Sequence, residues 1–135
     1  MSDRFCLQLV SCDKCGTENV YSTEETVCGT WIDGKPIYRK VISGKLANQS
    51  GNGLKFANVS GLKIDRMVNL YGNMSDNNND IQITLQTSYN KTDGLSSAVN
   101  MAYSNVTGDI GYHLLGTQAS YAGATAYVVI EYTKQ

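Results

Sequence analysis

The chain has little of what chemistry at a protein site usually needs. It has a single histidine, a single proline, one tryptophan, two phenylalanines and only 17 % charged residues. With His113 alone, a Ser-His-Asp or Cys-His arrangement has one base to draw on, and no G-x-S-x-G elbow accompanies it. The charged fraction compares with about a quarter in an ordinary soluble domain. A net charge of −1 and a pI near 5.7 leave no basic footprint for nucleic acid. No run approaches the roughly 20 apolar residues of a membrane-spanning helix, so no membrane insertion is expected. Phosphate- and dinucleotide-binding glycine patterns are missing, and Gly108 to Gly111 reads only as the start of a strand. Asp76 to Asp80 lacks the glycine and distal glutamate of an EF-hand, leaving open only a looser cation site with Asp76 and Asp80.

What is present points to strands. Hydrophobic residues make up 41 % of 135 positions, enough for one core and one domain, 1–135. Asn, Ser, Thr and Gly fill the polar positions, and their side chains compete with helical backbone hydrogen bonds. Strand candidates are Phe5–Val10, Asn19–Ser22, Val27–Ile32, Ile37–Ile42, Leu54–Val59, Ile81–Gln86, Ala98–Tyr103, Asp109–Leu115 and Ala124–Thr133. The cleanest is Ile81–Gln86, where Ile81, Ile83 and Leu85 alternate with Gln82, Thr84 and Gln86. Leu62–Tyr71 fits two periods: alternation interrupted by Arg66, and a helix-like spacing of Ile64, Met67, Val68 and Tyr71. Bounding Gly61 and Gly72 and the β context favour a strand there. Asn48–Gly53 is a loop by composition, and Thr23-Glu24-Glu25 has the capping chemistry for one helical turn but nothing apolar follows it at helical spacing. The economical fold is an all-β antiparallel sandwich, with a jelly roll as one form of it.

The segment YSTEETVCGTWIDGKPIYRKVI, Tyr21 to Ile42, carries the sharpest local signal. Asp33-Gly34 between two apolar runs predicts a hairpin turn, because glycine reaches positive φ without a Cβ clash. Pro36 lacks a backbone donor and belongs at the mouth of the following strand. This composite, together with the ending YVVIEYTKQ, resembles a module of small appendage proteins of tailed bacteriophages, especially phages of gut bacteria. The resemblance implies an all-β, trimeric virion protein, and it places Cys28 as an ordinary strand residue. Met1-Ser2-Asp3-Arg4 leads into an alternating run rather than an apolar leader, so folding in a host cytoplasm is expected. Five sequons, at Asn48, Asn58, Asn73, Asn90 and Asn105, then mean only exposed loops.

Cys12-Asp13-Lys14-Cys15-Gly16 has the form of one zinc knuckle, but Cys6 and Cys28 do not make the second pair that a closed site needs. Four reduced thiols are the expectation, with no cofactor and no metal. For a glycan hydrolase the carboxylates on offer are Glu24, Glu25, Asp33, Asp76, Asp80, Asp109 and Glu131. Most fall in loops or turns, where solvation keeps them ionised and inert as general acids. No catalytic residue is expected.

Binding is the sharper expectation. Tyrosine is abundant, at 9 residues, and tyrosine rings beside Asn-rich loops suit sugar recognition. Trp31, Tyr38, Tyr127 and Tyr132 read as strand packing. The loops Asn73–Asp80, Tyr89–Gly94 and Gln118–Gly123 have no structural duty in the sequence, which makes Asn77, Asn78, Asn79, Tyr89, Asn90 and Tyr121 the candidate host-contact residues. Ala124–Thr133 adds an argument for assembly. It is apolar on the face of Ala126, Val128, Ile130 and Tyr132 and on that of Tyr127 and Val129, and a two-faced strand needs cover on both sides. The expected protein is a homotrimer on the virion, contacting other virion proteins and a host-surface glycan or protein. The alternatives are a carbohydrate-binding or glycan-hydrolysing module and a non-adhesive capsid decoration protein.

Overall fold

Period-two alternation of apolar and polar residues produces nine strands in a computed structural model that describes residues 19–75, 82–91, 94–116 and 123–135. They are β1 (Thr26–Thr30), β2 (Pro36–Lys45), β3 (Gly51–Asn58), β4 (Ile64–Ser75), β5 (Gln82–Thr84), β6 (Gln86–Lys91), β7 (Gly94–Tyr103), β8 (Asp109–Gly116) and β9 (Thr125–Lys134). Five form one antiparallel sheet in the order β1-β2-β9-β4-β5, and four form a second in the order β3-β8-β7-β6. The described residues contain no α-helix, only a 3₁₀ turn at Ser60–Leu62. The fold is the all-β sandwich that the composition predicts.

The core lies between the inner faces. β9 supplies Ala126, Val128, Ile130 and Tyr132, all completely buried, and they meet Met74 from β4 and Val99, Ile110, Tyr112 and Leu114 from the second sheet. Each large side chain moved out of water contributes about 1.5–3 kcal/mol. β9 is the last strand in the chain, yet it sits in the centre of its sheet, paired with β2 on one side and β4 on the other.

Interleaving of β2, β3, β4, β8 and β9 between the two sheets is the order of a jelly roll. The remaining strands depart from it, because β5 pairs with its neighbour β4 and β7 with its neighbours β6 and β8. The connections fall at two ends. The β2–β3 and β8–β9 links meet through Leu46 N–H to the Ala124 carbonyl, 2.8 Å, and Gly123 N–H to the Ala47 carbonyl, 2.7 Å. Ser75 pairs with Gln82 beside Met74–Ala126, so β4 ends and β5 begins at that same end. Lys91 pairs with Gly94 beyond Ser97–Gly116, so β6 ends and β7 begins there too. The other end holds the β1–β2, β3–β4 and β7–β8 turns, with Val59 N–H bonded to the Gly108 carbonyl at 2.7 Å.

The β1–β2 turn is built as its residues predict. Gly34 takes φ +91°, Lys35 N–H donates to Asp33 Oδ1 at 3.0 Å, and Pro36 opens β2. Leu62–Tyr71 contributes a strand, and its mixed period has a cause. β4 carries register shifts between Ile64 and Arg66 and between Met67 and Asn69. Each adds a residue, so core-side positions fall at Ile64, Met67, Leu70, Gly72 and Met74, partly three apart like a helix.

Four expectations change. Ile81–Gln86 is not one strand: the chain bends at Leu85, leaving β5 in the first sheet and β6 in the second. Alternation does not reveal the switch, because Leu85 stays buried between the sheets. Asn48–Gly53 is loop only as far as residue 50, since β3 begins at Gly51. Asn19–Ser22 is not a strand. Val129 is only 8 % exposed within the single chain, flanked by Val41 and Tyr71 on the neighbouring strands. Its cover is internal, so β9 by itself no longer argues for an assembly. Phe5–Val10 and the Cys12–Gly16 knuckle lie outside the described residues.

Candidate functional site

The strand ends that flank the predicted contact loops, Ser75 and Gln82, Lys91 and Gly94, and Gly116 and Thr125, lie at one end of the sandwich. Asn77, Asn78, Asn79 and Tyr121 lie outside the described residues. Tyr89 and Asn90 are not loop residues: they sit in β6 opposite Ser97 and Leu95, and only residues 92 and 93 separate β6 from β7. Polar side chains in a hairpin pattern alternate like a strand and like a loop at once, and the sequence signal was read as loop. Asn73 likewise belongs to β4, opposite Thr84.

Two of the carboxylates considered for hydrolysis, Glu25 and Glu131, are tied to cations and hydroxyls, while Asp76 and Asp80 lie outside the described residues. Glu131 Oε2 accepts from Arg39 Nε at 2.8 Å and from the Tyr71 hydroxyl at 2.8 Å. Arg39 also donates to Asn19 Oδ1 and to the Val20 carbonyl, and stacks over the Tyr21 ring at 4.3 Å. Burial works against the Arg39 charge, but Glu131 more than offsets it and holds the guanidinium above its ordinary value. Burial also raises the Tyr71 hydroxyl well above 10, with its bonds to Tyr21 and Glu131 adding to the shift. Glu25 accepts from the Tyr132 hydroxyl and pairs with Lys134 at 2.8 Å. Desolvation opposes its charge, but Lys134 and Tyr132 together keep its pKa below 4.5. Asp33 serves the β1–β2 turn. Cys28 is an exposed free thiol on β1, pushed up by desolvation and by Glu131. Among the described residues no three His, Cys, Asp or Glu side chains come together as a metal site, and no helix is long and apolar enough to cross a membrane.

A feature that sequence reasoning missed lies on the outer face of the second sheet. Register places Gly111 of β8 between Lys55 of β3 and Ala102 of β7, so β8 and β7 offer only a glycine and a methyl group at that level, beside the exposed Lys55. A Cβ on Gly111 would lie 3.2 Å from the Leu54 carbonyl oxygen, which keeps the floor low. One step along the sheet, His113 pairs with Asn100, and Asn100 pairs with Gln86. On the other side stand Asp109 and Thr107. The result is an open trough of about 400 Å³ lined by Gly53, Asn100, Ala102, Thr107, Asp109 and His113 among others.

Its polar groups are oriented by neighbours. His113 Nδ1 accepts from Gly53 N–H at 3.0 Å, so the neutral ring carries its proton on Nε2. Asn100 Oδ1 accepts from Gln86 Nε2 at 3.2 Å, while Gln86 Oε1 accepts from Met101 N–H at 3.3 Å. Asp109 Oδ1 accepts from Asn58 Nδ2 at 2.8 Å, and Lys55 Nζ stands 3.7 Å away. The Asn58 bond and the lysine charge hold the Asp109 pKa below its ordinary 3.8. Such a trough can bind a small polar ligand but presents no nucleophile–base pair.

Comparison with known proteins finds no matching family model, no similar curated protein and no similar solved structure.

Proposed function

We propose that the protein is a virion appendage of a tailed bacteriophage, a homotrimer held to other virion proteins that contacts the host surface with one end of its sandwich. The observation that supports this reading is that the strand ends flanking the β4–β5, β6–β7 and β8–β9 connections converge on one end of the sandwich. These are the connections that sequence reasoning marked for recognition, on chemical grounds unconnected with their position in space. A rigid sandwich carrying variable polar loops at one end is a general solution for recognition, because the loops change without disturbing the core. Trimeric display multiplies weak single-site contacts. The trimer and the virion setting come from the resemblance of Tyr21–Ile42 and the closing strand to phage appendage modules.

Antibody labelling of purified virions tests the setting: label on tail or head appendages is expected, and unlabelled particles would overturn it. Replacing Tyr121 with alanine tests the adhesive role. Attachment to host cells should fall while the melting temperature stays nearly unchanged. Undiminished attachment would instead favour a decoration protein that binds particles and ignores cells.

A further inference from the structure

We propose that the trough on the outer face of β3, β8 and β7 is a binding site for one ring of a neutral saccharide. The trough lies on the sheet face toward the β7–β8 turn, away from the end proposed for host contact, so it would be a second contact. Naming a glycan as its ligand rests on the adhesive reading; the position and chemistry of the site do not.

Three properties of the trough carry the inference. The first is its size. His113 and Asp109 bound it along β8 and stand four residues apart, which at about 3.3 Å per residue separates their Cα atoms by roughly 13 Å. The open trough's 400 Å³ gives room for one or two sugar rings rather than a longer chain.

The second is the division of its surface. The floor offers the Ala102 methyl group and the bare backbone of Gly111, suited to the C–H face of a ring. The walls are polar and complementary. On one side, the described hydrogen bonds leave the Asn100 amide N–H groups and His113 Nε2–H as donors. On the other, Asp109 keeps acceptor capacity beyond the bond from Asn58, and Thr107 adds a hydroxyl. Donors on one wall and a carboxylate acceptor on the other match vicinal hydroxyls, each of which both gives and takes a hydrogen bond.

The third is charge. Lys55 faces Asp109 at 3.7 Å. A phosphate or carboxylate would therefore meet a carboxylate whose countercharge is already engaged. A neutral ring meets no such penalty. The site is also preorganised: Gly53 holds His113 and Gln86 holds Asn100, so little side-chain freedom is lost on binding.

Amide-resolved NMR titration of the full chain with glucose, galactose, mannose and N-acetylglucosamine, each to about 10 mM, suits a site of millimolar affinity. At least one sugar should shift the amide signals of Asn100, Ala102, Gly111 and His113. Asn100→Ala and His113→Ala, both at exposed positions, should each weaken that binding about tenfold, the worth of one good hydrogen bond. Ala102→Phe fills the floor at an exposed strand position where an aromatic ring is tolerated, and should abolish binding with the fold intact. Silence with all four sugars, shifts confined to other residues, or full affinity in Asn100→Ala and His113→Ala would overturn the assignment. Sugar binding here by a protein absent from virions would overturn the appendage reading and leave the trough assignment standing.

Discussion

Arg39 and Glu131 meet at 2.8 Å on the outer face of the first sheet, directly across β2 and β9, with side chains only 9 % and 13 % exposed. Lys35 and Asp65 meet at 3.0 Å, but with side chains 41 % and 49 % exposed. The two pairs have similar geometry and different surroundings, and water decides their worth. Glu131→Ala strands a buried guanidinium and should cost about 3–5 kcal/mol in chemical denaturation. Asp65→Ala should cost less than about 1 kcal/mol. Equal losses would contradict the burial difference.

Gly72 and Gly34 make a second contrast. Gly72 has φ +155°, and a Cβ there would stand 2.0 Å from the Tyr127 carbonyl oxygen, a backbone atom that cannot move aside. Gly34 has φ +91° with open space around it. Gly72→Ala should force β4 and β9 apart and cost more than about 3 kcal/mol. Gly34→Ala should cost only the conformational penalty, about 1–2 kcal/mol. Denaturation midpoints of the two variants separate these outcomes.

Stability should fall at both extremes of pH. Glu25 has its pKa lowered below 4.5, so the folded chain gains from its ionised form above that value and loses the gain as pH falls through the lowered pKa. Tyr71 and Tyr132 are raised well above 10.0. Their contribution is complete below pH 10 and disappears as pH rises from there through the raised values. Melting temperature followed from pH 3 to 11 should show both declines, and Tyr132→Phe should flatten the alkaline one. An alkaline decline unchanged in that variant would show that the Tyr132 hydroxyl does not drive it.

Light scattering at micromolar concentration should give a mass near three times 14.7 kDa for the proposed trimer. Val129→Asp is a poor probe of that assembly, since it puts a charge into a site already buried in one chain and should destabilise the monomer too. Tyr127, half exposed on the same face, is the better one. Tyr127→Glu should leave the fold intact. A monomeric mass for the unaltered protein would contradict the trimer.

Local chemistry was legible in the sequence and long-range register was not. Asp33-Gly34 and Pro36 announce the β1–β2 hairpin because turn geometry depends on a few adjacent residues. The β4 bulges left a trace in the sequence, the break at Arg66, but its meaning needed the partner strand. The bend at Leu85 left none, since an inward-facing residue satisfies either sheet. The trough was invisible for a related reason. Gly53, Ala102 and Gly111 are unremarkable one by one, and only the pairing of three strands turns them into a bare patch.

The central place of β9 sets the range over which the chain must search in folding. β2 and β4 cannot close into one sheet until Thr125–Lys134 lies between them. Lys45, where β2 ends, pairs with Thr125, so strands far apart in sequence must meet before that sheet exists. The second sheet, β3-β8-β7-β6, takes no strand from β9, so the delay falls on the first sheet alone. Long-range pairing of this kind also folds slowly.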